Sequence, residues 1–431
     1  MTQMPKMVRV LDHINNWTIF PITWGADKGQ YQLLSNSSKI VFHYKNHEFD
    51  NIQKKTSYRN LDALTEYLGS IPLENTSKQK RVFHFCFELG HLFLDLQNLI
   101  SDDQLLFVEI EYADSRLISE SQWRGYQSKE ISVGDIKGVD YGRYKKSFDK
   151  IFQHLLKGDC YQVNLTFPYI TTLGNATGPW DILNHFWKES SSLGKFAHAT
   201  YIKDANFLLI SNSPECLFTH RQQRGGKARI YSMPIKGSIP FNDGSDKLSS
   251  VWEELVASKK DRGELDIITD LVRNDLSKIT RAYSNVVKRR APLVVPNILH
   301  QYSLINLEVE NKVDLYMLLQ AMFPGGSITG APKKRVMEII HDVELVARSF
   351  YCGTTFISDE KISMGSINIR TAVVDMKTNE LVYGAGGGIT LLSECGSEYA
   401  EMQLKLKSFF GEKSHQNGAK LFTVKSEFSP K

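Results

Sequence analysis

Glu398, Glu401 and Lys405 lie at offsets of 0, 3 and 7 residues, so on a helix all three side chains share one face. Taken alone, Glu401 and Lys405 make an ordinary i,i+4 ion pair on a solvated surface. Just upstream, YGAGGGI (383–389) carries Gly384, Gly386, Gly387 and Gly388, which let backbone approach a ligand and offer amide donors to an anion. The helix face is therefore expected to flank a pocket. A further acid, Glu264 in KKDRGELDIITDLVRND, stands where apolar helical periodicity begins, a position that also suits a cap or the helix dipole. If Glu264 and Glu401 meet across a cleft, they supply the sparse hard-oxygen set that Mg2+ prefers. FPGGSITGAPKKRVMEII adds a third element, in which Gly325, Gly326, Thr329 and Gly330 precede Pro332 at an expected first helical turn. Gly325 and Gly330 have P-loop spacing, but Ala331 and Pro332 stand where Lys and Ser/Thr are required. GAGGGI also lacks the GxGxxG pattern, so a nucleotide site is not expected.

These side chains need strands and helices to hold them. YGRYKKSFDKIFQHLLKGD places Tyr144, Phe148, Ile151, Phe152 and Leu155 at helical spacing and stops at Gly158; the strand YQVNLTFPYI follows. Strands are expected near 200–211 and 217–220 and around Phe350, Ile367 and Leu381, with helices over 264–278, 333–345 and 397–410. The first 130 or so residues mix IVFHY, RVFHFCF and QLLFVEIEY with turn-prone residues, which predicts strands with a few helices. The class is α+β. The expected divisions are an amino-terminal region, 1–135, interleaved with a catalytic region, 136–412, and a polar tail, 413–431. THRQQRGGKAR, with Arg221, Arg224, Lys227 and Arg229 around Gly225 and Gly226, predicts a solvated hairpin tip.

At 431 residues, 42% hydrophobic and 23% charged, the chain is not disordered or fibrous and can build a large core. Basic and acidic residues nearly cancel, 52 against 48, which leaves no broad footprint for nucleic acid or an anionic membrane. The apolar stretch Val82 to Leu96 is interrupted by His84, Glu88, His91 and Asp95 and cannot span a bilayer. No secretory h-region is visible near the first residues, so a cytoplasmic location is expected. Cys86, Cys160, Cys216, Cys352 and Cys395 are odd in number and never in a CxxC pair, which argues for reduced interior thiols.

The ordered series SPECLF, PIKGS, KDRGELDIITDLVRND, FPGGSITGAPK, YCG, INIRT and GAGGGI, followed by Glu398, Glu401 and Lys405, resembles the chorismate-utilising enzymes over about Tyr141 to Phe410. The first 130 residues resemble only loosely the divergent amino-terminal half of anthranilate and aminodeoxychorismate synthases. The resemblance implies a two-layer αβ sandwich of mainly antiparallel sheets with helices packed outside, binding chorismate, a dicarboxylate, with Mg2+. It implies Glu264 and Glu401 as magnesium ligands, with Glu398 beside them. Lys405 and Arg370 become partners for the substrate carboxylates, and Thr329, Gly330, Tyr351 and the amides of Gly386, Gly387 and Gly388 finish the anion cradle. His300, in NILHQYSL, matches a histidine near the substrate ring. Cys216 and Leu265 depart from the pattern, standing where the family commonly has Arg and His or Asn.

Two positions separate the branches of that family. Gln162 stands where the isochorismate and salicylate branch has a lysine that activates water, and an amide cannot accept that proton at neutral pH. Lys236, in MPIKGS, stands where anthranilate synthases have alanine and the aminodeoxychorismate branch has a lysine that adds covalently to the ring. A closed pocket beside a cation favours a neutral, nucleophilic amine. Glu215, in SPECLF, matches the general acid that protonates the departing C4 hydroxyl while Lys236 attacks C2. Ammonia would then displace the lysine. No cysteine lies in a GxCxG elbow, so the resemblance implies a glutamine amidotransferase subunit on a separate chain as ammonia source. The alternatives are an anthranilate synthase component, and a catalytically silent chorismate- or tryptophan-binding regulatory protein, since LLSNS (33–37) faintly resembles the amino-acid pocket of relatives.

Overall fold

A computed structural model describes residues 14–411 apart from short stretches at 24–26, 46–54, 58–60, 74–79, 125–129, 177, 189–192, 224–225, 243–244, 281, 296–297, 311 and 359–361. The polar tail expected over 413–431, and Arg224 and Gly225 of the basic hairpin, lie outside the described residues. In chain order the elements begin with β1 (Asn16–Pro21), β2 (Tyr31–Tyr44), β3 (Lys55–Ser57), α1 (Leu61–Gly69), β4 (Lys80–Phe85), α2 (Leu89–Phe93), β5 (Leu105–Ile118), α3 (Glu120–Arg124) and β6 (Ser132–Val133). Then come α4 (Tyr141–Leu156), β7 (Gln162–Gly174), α5 (Pro179–Phe186), β8 (His198–Ile202), β9 (Phe207–Ser211), β10 (Cys216–Gln222), β11 (Ala228–Met233), β12 (Ile235–Pro240), α6 (Leu248–Ala257) and α7 (Lys259–Thr280). The chain continues with β13 (Asn285–Val295), β14 (Ile298–Val309), α8 (Leu315–Met322), β15 (Gly330–Ala331), α9 (Lys333–Val343), β16 (Thr354–Ser358), β17 (Ile362–Ile367), β18 (Thr371–Asp375), β19 (Glu380–Ile389) and α10 (Cys395–Phe410).

Among the described residues every strand pairing is antiparallel except β2 with β3, and helices pack against the strands, so the fold is α+β. The amino-terminal strands are not a separate layer. β1 pairs with β8 and β4 with β16, which joins strands far apart in sequence into one network. Trp17 on β1 stacks on Trp180 of α5 with ring centroids 4.2 Å apart, burying both.

Four elements position the site. β7 and β19 form a long ladder, Thr172 to Val163 against Glu380 to Ile389. α10 lies on β19, because Met402, Leu406 and Phe410 repeat at four-residue spacing as a buried stripe and Phe409 stacks on Tyr383 at 4.2 Å. Its start is capped by Glu394, whose carboxylate accepts the Gly396 and Ser397 amides. α7 packs on β12 and β14 through Leu265, Ile268, Val272 and Leu276, all buried.

Three local expectations are corrected. The helix expected from Glu264 starts at Lys259, since Ser258 Oγ accepts the Asp261 amide at 3.2 Å; Glu264 is therefore one turn inside the helix and caps nothing. Pro332 has extended ψ of 140° and precedes the first turn of α9 rather than opening it. Around Phe350 the chain turns, with Ser349 and Cys352 at positive φ, and the strand begins only at Thr354. The expected hairpin is present as the β10–β11 pair.

Candidate active site

A cavity of about 320 Å³ opens between α7, α10, β12, β14 and the glycine end of β19. Lys236 enters it from β12, where a register shift against β14 between Lys236 and Ser238 marks a bulge. Gly237 supplies the φ of +76° that this bulge needs, and a Cβ there would strike Asp261 and Gln301. The bulge turns Lys236 toward α7, leaving its Nζ 3.9 Å from Glu264 Oε2. Glu215, just before β10, is held by neighbours: Ser213 Oγ accepts its amide, and its Oε1 accepts the Ile235 amide at 3.3 Å. The acid and the lysine are thus joined through adjacent residues of one strand.

The cavity-facing edge of β19 follows from its register. Thr166 N donates to Glu344 Oε1 and Asn164 N to the Thr329 carbonyl, both away from β19. Their partners Gly386 and Gly388 therefore occupy non-hydrogen-bonded positions in the ladder, and their amides and carbonyls point to the strand's other edge. There the Gly386 carbonyl accepts Lys405 Nζ at 2.8 Å, and Lys405 also pairs with Glu401 at 3.0 Å. Arg370, Tyr351 and His300 line the same cavity.

Burial and neighbouring charge set the titration of these groups. Burial pushes Glu215 up to about 7, against the Ser327 hydroxyl and Lys236, which favour its anion. Glu264 is also raised by burial, opposed by Lys236 and Lys260. Lys405 instead holds Glu401 well below the usual carboxylate range. Burial, aided by Arg370, lowers His300 to about 4. Because the Gly237 carbonyl can only accept, the His300 contact at 3.3 Å fixes the proton on Nδ1.

Three expected residues do not line the cavity. The Thr329 hydroxyl donates to the Gly325 carbonyl at 2.8 Å, and Gly330 pairs with Val163 in β15, so both form the wall behind it. Gln162 is fully buried with both amide atoms unpartnered. It ends beneath Gly388: a Cβ on Gly388 would lie 2.8 Å from Gln162 Nε2 and 3.1 Å from Lys236 Nζ. Sequence reasoning missed Lys260, Asp261 and Arg348. The first two line the cavity, and their i−4 and i−3 spacing from Glu264 was readable once the helix began at Lys259. Buried Arg348 donates to the Ile328 and Asn164 carbonyls, 2.7 Å each, tying two walls together.

The donor chemistry of Glu264, Glu398 and Glu401 fits Mg2+, since all three are hard oxygen donors on one cavity. Among the described residues no three His, Cys, Asp or Glu side chains converge on one metal position. Mg2+ needs no such cage, being held commonly by one or two carboxylates with water and substrate oxygens. No helix of the described residues is long and apolar enough to cross a membrane.

The sequence model described as chorismate binding enzyme matches residues 113–411, and the chain belongs to that family. It is 32% identical over 285 residues to aminodeoxychorismate synthase component 1 of Klebsiella aerogenes, an alignment covering 65% of this chain. The match spans 57% of that relative's length. Anthranilate synthase component 1 of Archaeoglobus fulgidus is 28% identical over 309 residues, 70% of each chain. The fold matches the crystal structure of anthranilate synthase component I from Streptococcus pneumoniae TIGR4 with a TM-score of 0.69 at 17% identity, covering 91% of this chain and 94% of that one.

Proposed function

We propose that this chain aminates chorismate to 4-amino-4-deoxychorismate, the step toward 4-aminobenzoate and folate, using ammonia from a glutamine amidotransferase on a separate chain. The observation that carries the reading is Lys236 beside Glu215, a nucleophile and a carboxyl kept protonated to about pH 7, joined through the Ile235 amide in one cavity. Lys236 Nζ forms a bond to ring C2 as the double bond shifts and the C4–O bond breaks, with Glu215 donating the proton that makes the leaving hydroxyl water. Ammonia then forms the C4–N bond as the C2–Nζ bond breaks, and its surplus proton reloads Glu215. The enolpyruvyl group is retained.

Lys405, Arg370 and the outward amides of Gly386 and Gly388 orient the substrate carboxylates, while neutral His300 packs near the ring. Mg2+, held by Glu264 and Glu401 with Glu398 beside them, would supply positive charge to the ring carboxylate. Gln162 under Lys236 offers no base to activate water. Anthranilate formation is the second reading, favoured by the Archaeoglobus relative.

The test incubates the pure chain with chorismate, Mg2+ and ammonium, and follows products by mass spectrometry with and without aminodeoxychorismate lyase. A product that the lyase converts to 4-aminobenzoate supports the reading. Anthranilate with pyruvate release would replace it with the second, and no product with ammonium or with an added amidotransferase would reject both.

A further inference from the structure

Lys260 takes no part in the chemistry above, yet its ammonium sits among the acids assigned to the divalent ion. It lies one turn before Glu264 on α7, and its Nζ is 2.5 Å from Glu398 Oε1 and 3.9 Å from Glu264 Oε1. Glu398 is almost fully buried, its side chain 2% exposed, at the head of the apolar stripe that seats α10. Burial leaves that carboxylate little room to change position. Lys260 is the adaptable member: its side chain is 31% exposed and carries a long flexible stem.

We propose that Lys260 is a tethered counter-cation that competes with the divalent ion for Glu398 and Glu264 and swings toward solvent when the ion binds. The inference rests on the magnesium reading of those acids. An ammonium at this distance and a divalent ion repel each other in a half-buried site, so each weakens the other's hold on the two carboxylates. Lys405 also pairs with Glu401, so the acids are already partly neutralised from within. The dicarboxylate substrate restores the negative charge that these lysines cancel. The divalent ion therefore binds weakly alone and more tightly with substrate present.

The test titrates Mg2+ into wild type, Lys260→Gln and Lys260→Arg by calorimetry at one pH, with circular dichroism confirming each fold. Gln keeps a hydrogen-bond donor for Glu398 and removes the charge; Arg keeps the charge. The expected result is Mg2+ binding about fivefold tighter in K260Q, equivalent to one lost charge pair of about 1 kcal/mol, and no tighter than wild type in K260R. A purely structural role for Lys260 would lower thermal stability without tightening the ion. Unchanged or weaker Mg2+ binding in K260Q, with wild type binding measurably, overturns the inference and leaves the magnesium reading standing. No binding to any of the three, with or without chorismate, overturns both.

Discussion

Glu109 and Glu264 are both buried glutamates set among cationic side chains, yet their acidities are shifted in opposite directions. Around Glu109, on β5, Arg81 approaches to 2.5 Å, Lys39 and His43 to 3.3 Å, and the Tyr67 hydroxyl donates as well. Burial works to raise this acid, but His43, Arg81 and Tyr67 override it and hold the carboxylate far below its usual range. Around Glu264 the lysines stop at 3.9 Å, and burial wins, raising the acid. In the first cluster both Glu109 oxygens are taken up by side chains, and Glu109 lines no part of the cavity. The second borders a cavity and leaves the amide of Gln162 beneath it unpartnered. A carboxylate whose oxygens are all engaged by side chains is structural, while looser pairing beside a void keeps polar groups available to a ligand.

The sharpest test of that contrast is Lys236→Ala, which should lower aminodeoxychorismate formation roughly 10³-fold or more while the chain stays folded, measured by product mass and circular dichroism. Undiminished product, with no mass adduct on the native protein during turnover, would reject the covalent role. Arg81→Met in the closed cluster should do the reverse, costing about 3 kcal/mol of stability in urea unfolding with turnover of the folded fraction unchanged. Equal damage to both properties would dissolve the distinction.

Gly388→Ala probes the cavity floor, where the new methyl meets the far ends of Gln162 and Lys236 rather than backbone. Those ends can yield, so stability should hold while kcat falls about 10²-fold through misplacement of the amine. A wild-type kcat would show that Lys236 is not set by its contact with this floor. The smallest effect concerns pH. Glu215 has a folded value of about 7 against an ordinary 4.5, so across that window the native state binds more protons than the unfolded chain and stability falls as pH rises. Glu215→Gln lacks this loss and should gain on wild type by about 2 kcal/mol between pH 5 and 8. Taking the difference cancels Glu88, a second buried acid raised to about 7. A flat difference would mean that Glu215 is not desolvated as the fold implies.

Much of this site was legible in advance. Glu398, Glu401 and Lys405 were grouped by helical period alone, and the stretch Gly386 to Gly388 marked a close approach that the structure places on the cavity. What escaped were features set by partners distant in sequence. Lys260 and Asp261 sit in a charged run with no apolar rhythm, so periodicity starts the helix at Glu264, whereas the Ser258 contact sets its start at Lys259. Thr329 and Gly330 looked like cleft amides, but pairing with β7 spends them on the wall.

The residue types, the helix faces that carry them and the ordered motifs of the chorismate binding enzyme family are all readable along the chain, because they depend on local periodicity and on which side chains can perform the chemistry. Long-range pairing is what makes a bulge at Gly237 turn Lys236 toward Glu264, β7 register present Gly386 and Gly388 outward, and Lys260 reach Glu398 on another helix. Those depend on register and packing between segments far apart in sequence, which no local period encodes.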